Sequence, residues 1–272
     1  MTTETVSNAV SRWVSRLAVL VVVAFVVAGI STFFMTSDSS KAAQAPRQRA
    51  PVTDITKLVA STTNTTINRA PRDAEPQATT DGDVVHPTRT VPVFTEPGGR
   101  AFAKVTPNQL GETWLPVVDT SGDWSKVLLP SRPNGSTGWL RNADVETRRT
   151  PYLIRVHVGS RELELFKDGA VVGSWTVAVG AAATPTPTGR SFLLGSIIDD
   201  EQTYSPVILP LGSHSDTLDT YGGGPGTVAL HGWPDDSVFG NAVSNGCIRV
   251  PDEALDQLTQ VPLGSLVLID AN

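Results

Sequence analysis

The 272-residue chain contains a single cysteine, Cys247, so no intrachain disulfide can stabilise it and its fold depends on buried apolar surface. Cys247 lies in a Ser-Asn-Gly-Cys-Ile-Arg segment at residues 244–249, downstream of the pair His231 and Gly232. A lone cysteine with an upstream histidine is typical of a nucleophile and its base. The alternative is a buried free cysteine, which acts as a small apolar side chain. The residues that flank Cys247 favour the nucleophile.

Charge and motif content exclude several functional classes. The formal net charge is −6, with 27 acidic and 21 basic residues, whereas nucleic-acid binding requires a basic face. The sequence has neither a phosphate-binding loop that ends in Gly-Lys-Ser/Thr nor a Gly-x-Gly-x-x-Gly dinucleotide motif. One cysteine and four scattered histidines do not supply the three or four ligands of a zinc site. We therefore expect no nucleic-acid partner and no metal site.

An apolar segment near the N-terminus predicts a membrane anchor. Residues 17–35 carry no charge, and their number is close to the ~20 residues with which an α-helix spans a bilayer. Arg12 and Arg16 precede the segment, so the positive-inside rule places residues 1–16 in the cytoplasm and the rest of the chain outside. The alternative is a cleaved signal peptide, with the Ala-Gln-Ala segment at 43–45 as its cleavage site.

Two segments of different character follow this anchor. Residues 36–85 are rich in Thr, Ala, Ser and Pro and contain no aromatic residue, a composition that predicts a disordered linker. In residues 86–148, short apolar runs alternate with turns such as Glu-Pro-Gly-Gly at 96–99, which is typical of a small all-β barrel. The pattern resembles a bacterial SH3-like module. We expect its tryptophans to lie in the core, with a ligand-binding platform as the alternative: Trp114, Trp124 and Trp139.

Residues 152–272 predict a second unit, which is also rich in β-strands. Apolar and polar residues alternate from residue 152 to 158 and from 162 to 165, the period-two pattern of half-buried strands. The dipeptide Asp168-Gly169 predicts a tight hairpin turn, because both residue types accept positive φ. Residues 251–260 predict a helix that begins at Pro251. The sequence thus predicts a mainly β protein with one or two short helices in this unit.

Four blocks of this second unit occur in the order found in the L,D-transpeptidase catalytic domain, the YkuD-like family. They are the predicted hairpin, Thr-Pro-Thr-Pro-Thr-Gly at 184–189, Ala-Leu-His-Gly at 229–232 and Ser-Asn-Gly-Cys-Ile-Arg at 244–249. Each block is unspecific alone, but all four in this order resemble that family. The sequence departs from the family at Asn245, where the commonest motif has a second histidine. It also has a short 233–243 segment between its histidine and its cysteine.

The residue types in these blocks suggest their chemistry. A thiol is only a few per cent ionised at neutral pH, so Cys247 needs a base, and His231 lies at the end of a predicted strand. The Gly232 carbonyl would orient the imidazole, in place of the acid of a catalytic triad. Arg249 would hold a substrate carboxylate, with a structural ion pair as the alternative.

Other residues of the same blocks receive supporting roles. Backbone amides of residues 245–247 would stabilise a developing oxyanion, with Gly246 allowing close approach. Ser244 would bond the histidine or only cap the turn. A glycine-rich segment at 221–226 predicts a flap over the site. The predicted catalytic residues are Cys247 and His231; the predicted orienting residues are Gly232, Ser244, Asn245 and Gly246; and the predicted substrate-binding residues are Arg249, Tyr221 and Trp233.

The resemblance implies a function that requires no metal ion and no organic cofactor. A peptidoglycan L,D-transpeptidase cleaves the stem peptide after its third residue and joins that residue to a side-chain amine of another stem, which gives a 3→3 cross-link. The partners would be peptidoglycan stem peptides and the cell membrane, with the catalytic domain on the cell-wall side. An L,D-carboxypeptidase or a protein-to-wall ligase would use the same site. In a different class, a non-catalytic wall-binding protein would use the SH3-like module alone.

Overall fold

Strands dominate residues 53–221 and 223–272, which are the part of the chain that the computed structural model describes. The sequence prediction of a mainly β protein is confirmed for this part. Its first half forms one eight-stranded sheet, here called the N-terminal sheet. Its strands are β1 (Val59–Ala60), β2 (Asp83–Pro87), β3 (Val91–Phe94), β4 (Ala101–Val105), β5 (Leu115–Ser121), β6 (Trp124–Leu128), β7 (Thr137–Arg141) and β8 (Val145–Arg149).

The N-terminal sheet is antiparallel except at one edge. Its strand order is β1-β4-β3-β7-β6-β5-β2-β8, and only β1 pairs in parallel, with β4. Trp114 and Trp139 are buried and Trp124 is half-buried, as expected for core tryptophans. Two short 3-10 turns, Ile55–Lys57 and Asn142–Asp144, precede the first and last strands of this sheet.

The second half of the described chain forms three smaller sheets. Its strands are β9 (Tyr152–His157), β10 (Glu162–Lys167), β11 (Ala170–Thr176), β12 (Val179–Gly180), β13 (Gly189–Phe192), β14 (Ile208–His214), β15 (Thr227–His231), β16 (Ala242–Ser244), β17 (Ile248–Arg249) and β18 (Leu266–Asp270). The sheet orders are β11-β10-β9-β18-β13, β14-β15-β17 and β12-β16. A 3-10 turn at Asp236–Val238 and a helix, α1 (Asp252–Leu258), complete this half.

Local sequence signals explain two of these elements. The predicted hairpin between β10 and β11 is confirmed, and Asp168 and Gly169 adopt the positive φ values of 51° and 79° that its two-residue turn requires. Helix α1 is shorter than the predicted 251–260, because Pro251 is its N-cap with an extended backbone and Thr259 is its C-cap. Its apolar residues Ala254, Leu255 and Leu258 are buried in the core of the C-terminal half.

The two halves of the described chain share a hydrophobic core. One apolar cluster packs Phe192 and Leu194 with Phe102 and Leu115 of the N-terminal sheet. A second cluster lies within the C-terminal half and includes Leu230 and Ile248. The described residues accordingly fall within one compact unit, 48–272. The predicted segments 86–148 and 152–272 are therefore joined by one apolar cluster to which both contribute.

Part of the predicted disordered linker is structured, which corrects that prediction. Residues 53–85 contain the 3-10 turn Ile55–Lys57, β1 and most of β2, while 36–52 lie outside the described residues. The linker prediction relied on the lack of aromatic residues. This segment is held instead by polar contacts and by small apolar residues, with Ile67 and Ala70 buried in the shared core.

Asp73, within this segment, forms a buried ion pair with Arg190 at the start of β13. The guanidinium donates two hydrogen bonds to the carboxylate, one of them 2.7 Å long from Nε to Oδ2, and each side chain is only 4% exposed. Burial alone would raise the pKa of Asp73, but the bonds from Arg190 outweigh it, so this pKa lies below its usual value. The pair joins the segment before the N-terminal sheet to the C-terminal half.

His157, the last residue of β9, lies between two carboxylates. Its Nδ1 lies 2.9 Å from Asp270 Oδ1 and its Nε2 lies 3.3 Å from Glu164 Oε2. Burial favours the neutral ring, but the two carboxylates outweigh it and raise the pKa of His157. The stabilisation from this charged ring is complete below about pH 6.5 and is lost as pH rises through the folded-state pKa.

The predicted membrane anchor at 17–35 and the predicted cytoplasmic segment 1–16 lie outside the described residues. Between residues 53 and 272, no described helix combines the length and the apolar character that crossing a bilayer requires.

The buried ion pair predicts a large stability effect. Asp73→Ala would leave the Arg190 charge buried without a partner, and we expect a loss of about 3–5 kcal/mol in the free energy of unfolding. Asp144→Ala is the matched control, because it removes a carboxylate from the more exposed pair with Arg89 and should cost no more than about 1 kcal/mol. Urea denaturation of the purified chain measures both changes. Equal losses in the two variants would contradict the structural role assigned to Asp73.

Candidate active site

The parallel pairing of β15 with β17 brings the histidine and cysteine blocks together. In this register Leu230 faces Ile248 and His231 faces Arg249. Ile248 is fully buried in the core, whereas its neighbours Cys247 and Arg249 both line a cavity of about 230 Å³. His231 ends β15 and lines the same cavity. A ladder of two residue pairs thus assembles side chains from two distant sequence blocks.

His231 is oriented by its own neighbour in the chain. Its Nδ1 lies 2.7 Å from the Gly232 carbonyl oxygen, and because a carbonyl only accepts, Nδ1 carries the proton and Nε2 is left as the acceptor. The Gly232 amide donates a 2.8 Å hydrogen bond to Ser205 Oγ, which in turn donates to the Val207 carbonyl. Ser205 thus holds the backbone of Gly232 in place, and the Gly232 carbonyl orients the imidazole of His231.

Both candidate reacting groups are neutral at pH 7. Burial lowers the pKa of His231 to about 4; the hydrogen bond with Gly232 opposes this shift and the charge of Arg249 adds to it. Burial raises the pKa of the half-buried Cys247, while a backbone hydrogen bond at Ala229 and the charge of Arg249 partly offset the rise. The resting state is therefore a thiol beside a neutral imidazole, which suits proton transfer during attack.

The turn that carries Cys247 is fixed by Ser244. Its Oγ donates to the Cys247 carbonyl and accepts from the Gly246 amide at 3.1 Å, so this hydroxyl caps the turn and does not bond His231. Gly246 has φ of +111°, a conformation that a residue with a Cβ rarely adopts. Because the Gly246 amide is engaged by Ser244, the amides of Asn245 and Cys247 are the better candidates for an oxyanion site.

The Thr-Pro-Thr-Pro segment at 184–187 bonds the backbone of this turn. Thr186 Oγ1 donates a 2.9 Å hydrogen bond to the Gly246 carbonyl and accepts one of 2.9 Å from the Gly180 amide. Thr184 Oγ1 donates to the Ser244 carbonyl at 2.9 Å. The sequence analysis identified this run only by its resemblance and assigned it no role. Its threonines hold the backbone of the cysteine turn.

Arg249 is arranged as a free cation over an aromatic ring. Its guanidinium carbon lies 3.4 Å from the centre of the Trp233 ring, and its Nε is buried without a hydrogen-bond partner. No salt bridge to Arg249 occurs among residues 53–221 and 223–272, which argues against the alternative of a structural ion pair. Stacking on Trp233 leaves the edge of the guanidinium for a ligand.

Tyr204 is a residue of the site that the sequence analysis missed. Its ring packs edge-on against His231, with centroids 5.0 Å apart, and tilts against Trp233 at 5.6 Å. It lines the cavity, and burial raises the pKa of its hydroxyl. Tyr204 and Ser205 lie far from both sequence blocks and belong to no motif, so only the fold reveals them.

Tyr221 and His214 have different environments. Tyr221 lines the cavity and is about half exposed, within a tight turn in which its amide and carbonyl bond those of Gly224. His214 is fully buried, and its Nε2 lies 2.8 Å from the Thr63 carbonyl. Burial lowers the pKa of His214 to about 4, so it is a neutral structural residue.

The remaining candidate residues lie where the sequence blocks place them. Asn245 is exposed at the cavity rim, and Ser244 and Trp233 contribute to the cavity wall. In the described part of the chain, no three His, Cys, Asp or Glu side chains are grouped as metal ligands.

The neutral resting pair has a measurable consequence. Because the thiol pKa is raised and the imidazole pKa is about 4, the iodoacetamide alkylation rate of Cys247 should show no inflection between pH 5 and 8. At pH 7 the rate should be below that of free cysteine, since the thiolate fraction is smaller. Intact-mass measurement follows the reaction, and Cys247→Ser supplies the blank. A rate plateau reached below pH 7 would instead indicate a preformed thiolate–imidazolium pair.

The support of the cysteine turn can be tested through Thr186. Thr186→Val keeps the shape of the side chain but leaves a buried carbonyl and a buried amide without their partner. We expect it to lower the free energy of unfolding by about 1–3 kcal/mol. Thr186→Ser retains the hydroxyl and is the matched control, with a smaller loss. Thermal or urea unfolding measures the difference, and equal losses in the two variants would show that the hydroxyl is not the stabilising group.

Comparison with known proteins assigns this half of the chain. The family model of YkuD, described as the L,D-transpeptidase catalytic domain, matches residues 151–269. YkuD of Bacillus subtilis is 30% identical over 121 residues, which are 44% of this chain and 66% of that protein. YqjB of Bacillus subtilis is 32% identical over 129 residues, covering 44% of this chain and 70% of that protein. YkuD of Bacillus licheniformis is 30% identical over 131 residues, or 48% of this chain and 70% of the relative.

Solved structures give more distant matches. The catalytic domain of an E. faecium L,D-transpeptidase aligns with a TM-score of 0.34 and 23% identity, over 44% of this chain and 96% of that one. An L,D-transpeptidase from Mycobacterium smegmatis aligns with a TM-score of 0.37 and 14% identity, over 58% of this chain and 99% of that one.

The family model covers both blocks that form the cavity, and two sequence relatives are at least 30% identical over 70% of their own length. The chain therefore belongs to the YkuD family of L,D-transpeptidases.

Proposed function

We propose that this protein is a peptidoglycan L,D-transpeptidase that forms 3→3 cross-links by acyl transfer through Cys247. The observation that carries the proposal is the shared cavity of Cys247, His231 and Arg249, which combines a nucleophile, a base and a cation in one wall. Membership of the family supports the reaction class. The protonation states and contacts of these residues determine the steps of the reaction.

In the first half-reaction the thiol attacks the carbonyl carbon of the third residue of a tetrapeptide stem. His231 Nε2 takes the thiol proton as the sulfur–carbon bond forms, because the imidazole is neutral and its Nδ1 is engaged by Gly232. The amides of Asn245 and Cys247 stabilise the oxyanion of the tetrahedral intermediate. The carbon–nitrogen bond then breaks, the imidazolium protonates the departing amine of the terminal D-alanine, and a thioester remains.

In the second half-reaction a side-chain amine of another stem attacks the thioester. Neutral His231 accepts a proton from the attacking amine, the carbon–sulfur bond breaks, and the imidazolium returns the proton to the departing thiolate of Cys247. The products are the 3→3 amide and the resting enzyme. Water in place of the amine would give a tripeptide instead, which is the L,D-carboxypeptidase outcome.

Substrate binding rests on the residues around the reacting pair. Arg249 binds a carboxylate of the donor stem with its guanidinium, which Trp233 holds flat by stacking. Tyr221 lines the cavity and would contact the donor stem there. The ring of Tyr204 packs edge-on against His231 and contributes to its burial. Burial lowers the pKa of the imidazole, so its Nε2 stays unprotonated and can act as a base.

The cellular setting is part of the proposal. The apolar segment 17–35 anchors the chain in the cell membrane, with residues 1–16 in the cytoplasm and the catalytic domain on the cell-wall side. An SH3-like module at residues 86–148 is also part of the proposal. Its buried tryptophans favour a structural role for that module over a glycan-binding platform.

The test combines a tetrapeptide donor and an amine-bearing acceptor stem with the purified chain and its variants. The unaltered chain should release D-alanine and form a cross-linked dimer, detected by mass spectrometry. Cys247→Ser should abolish the dimer, and His231→Ala should lower the rate by about 10²–10⁴-fold, the usual contribution of a general base. Arg249→Lys keeps the charge but loses the planar fork, so it should raise the donor KM about tenfold with a smaller change in kcat.

Each other outcome has a clear meaning. Release of D-alanine with tripeptide and no dimer would replace transpeptidation by hydrolysis at the same cysteine. A dimer that forms with Cys247→Ser would contradict the acyl-enzyme mechanism. Binding to peptidoglycan without any product, unchanged in Cys247→Ser, would favour the wall-binding alternative.

A further inference from the structure

Tyr221 reaches the cavity on the loop between β14 and β15. Residues 215–221 and 223–226 contain no strand or helix, and the last ladder pair before this loop is His214 with Thr227. Within the loop, Ser215 Oγ accepts from the Leu218 amide at 3.1 Å, and Tyr221 bonds Gly224. These contacts shape the loop locally, but they do not set its place over Cys247.

The contacts that set its place come from the N-terminal half of the chain. Asn134 clamps the backbone of His214: its Oδ1 accepts from the His214 amide at 2.8 Å and its Nδ2 donates to the His214 carbonyl at 2.7 Å. Nδ2 also donates to Asp216 Oδ1 at 3.1 Å. Arg132 donates to the carbonyls of Leu218 and Asp219 at 3.3 and 3.4 Å. Two side chains thus bond four residues that precede Tyr221 in the chain: His214, Asp216, Leu218 and Asp219.

The segment that presents Arg132 and Asn134 is itself held in place. The Arg132 amide donates to the Thr65 carbonyl at 2.9 Å and its carbonyl accepts from the Ile67 amide at 2.8 Å. The Gly135 carbonyl accepts from the amide of Asp73, whose carboxylate is fixed by Arg190. The clamp therefore has a rigid base.

The same loop touches the cysteine turn. An atom placed at the Cβ position of Gly246 would lie 3.9 Å from Ser215 Cβ, so the residue after His214 packs against the turn that precedes Cys247. A displaced loop would consequently alter the cavity on two sides, at Tyr221 and behind Gly246.

We propose that Asn134 and Arg132 are positioning residues for the reaction, which hold Tyr221 over the Cys247 cavity through the 215–226 loop. The connection between β6 and β7 of the N-terminal sheet is then a structural part of the active site and affects the binding of the donor stem. This inference rests on the proposed function for its catalytic readout, but its structural readout is independent.

The experiment compares Asn134→Ala with Asn142→Ala in the full chain. Asn142 is the matched control, because it is another asparagine of the N-terminal half and its side chain bonds only Ser125 among the described residues. Amide hydrogen exchange of residues 215–226 should increase in Asn134→Ala and stay unchanged in Asn142→Ala. Imipenem, a carbapenem, serves as an acylating mimic of the donor stem. Its acylation of Cys247 should slow about tenfold in Asn134→Ala, because its apparent dissociation constant rises while the limiting rate changes little. Iodoacetamide alkylation, which needs no bound donor, should stay within about twofold of the unaltered chain.

A rescue variant separates positioning from general destabilisation. Asn134→Asp retains an acceptor for the His214 amide but loses both donated bonds and places a carboxylate beside Asp216. It should slow acylation at least as much as Asn134→Ala. Adding Asp216→Asn supplies a donor opposite the new carboxylate and should recover part of the rate.

The outcomes distinguish this inference from the proposed function. If imipenem fails to acylate the unaltered chain, the proposed function is contradicted, while exchange of the 215–226 loop still decides the inference. Unchanged exchange in Asn134→Ala would overturn it. An equal slowing of imipenem acylation and iodoacetamide alkylation would also overturn it, because the effect would then lie in the thiol and not in donor binding.

Discussion

The two ladder pairs between β15 and β17 are the constraint on which the site depends. They set His231 beside Arg249 and place Cys247 at the backbone of Ala229, so the spacing of the three functional side chains is a consequence of strand register. The buried partners Leu230 and Ile248 determine that register, because a shift by one residue would turn apolar side chains into the cavity and reacting side chains into the core. Hydrophobic burial thus specifies the catalytic geometry, and hydrogen bonds only refine it.

The refinement is done by residues that do not react. Ser205 and Gly232 set the imidazole tautomer, while Ser244 and Thr186 fix the turn that presents the thiol. The hydroxyls of Ser205, Ser244 and Thr186 all bond backbone groups, so these bonds do not depend on which molecule occupies the cavity. The shared core and the Asp73–Arg190 ion pair extend the same principle to the whole unit. Segments that look peripheral in the sequence are therefore continuous with the support of the site.

Much of this arrangement follows from local sequence. Alternating patterns predicted β9 and β10, Asp168-Gly169 predicted their hairpin partner β11, and short motifs located every side chain proposed to react. What the sequence did not predict depends on contacts between distant segments. Residues 53–85 looked disordered because they lack aromatic side chains, yet Asp73 gains its partner 117 residues later. Tyr204 belongs to no motif, and His157 and His214 acquire their roles from Asp270 and from Thr63, which no local pattern could supply.

The neutral state of Cys247 affects its resistance to oxidation as well as its catalytic chemistry. Peroxides and other oxidants attack thiolates far faster than thiols, and the sulfenic acid they form leads on to irreversible products. A cysteine that burial keeps protonated at rest is therefore a slow target for oxidation. Its reactivity appears only when a carbonyl carbon and a proton acceptor are aligned together. Since Cys247 is the only cysteine of the chain, no resolving thiol within the same molecule could repair it, and its protection has to be built into its surroundings.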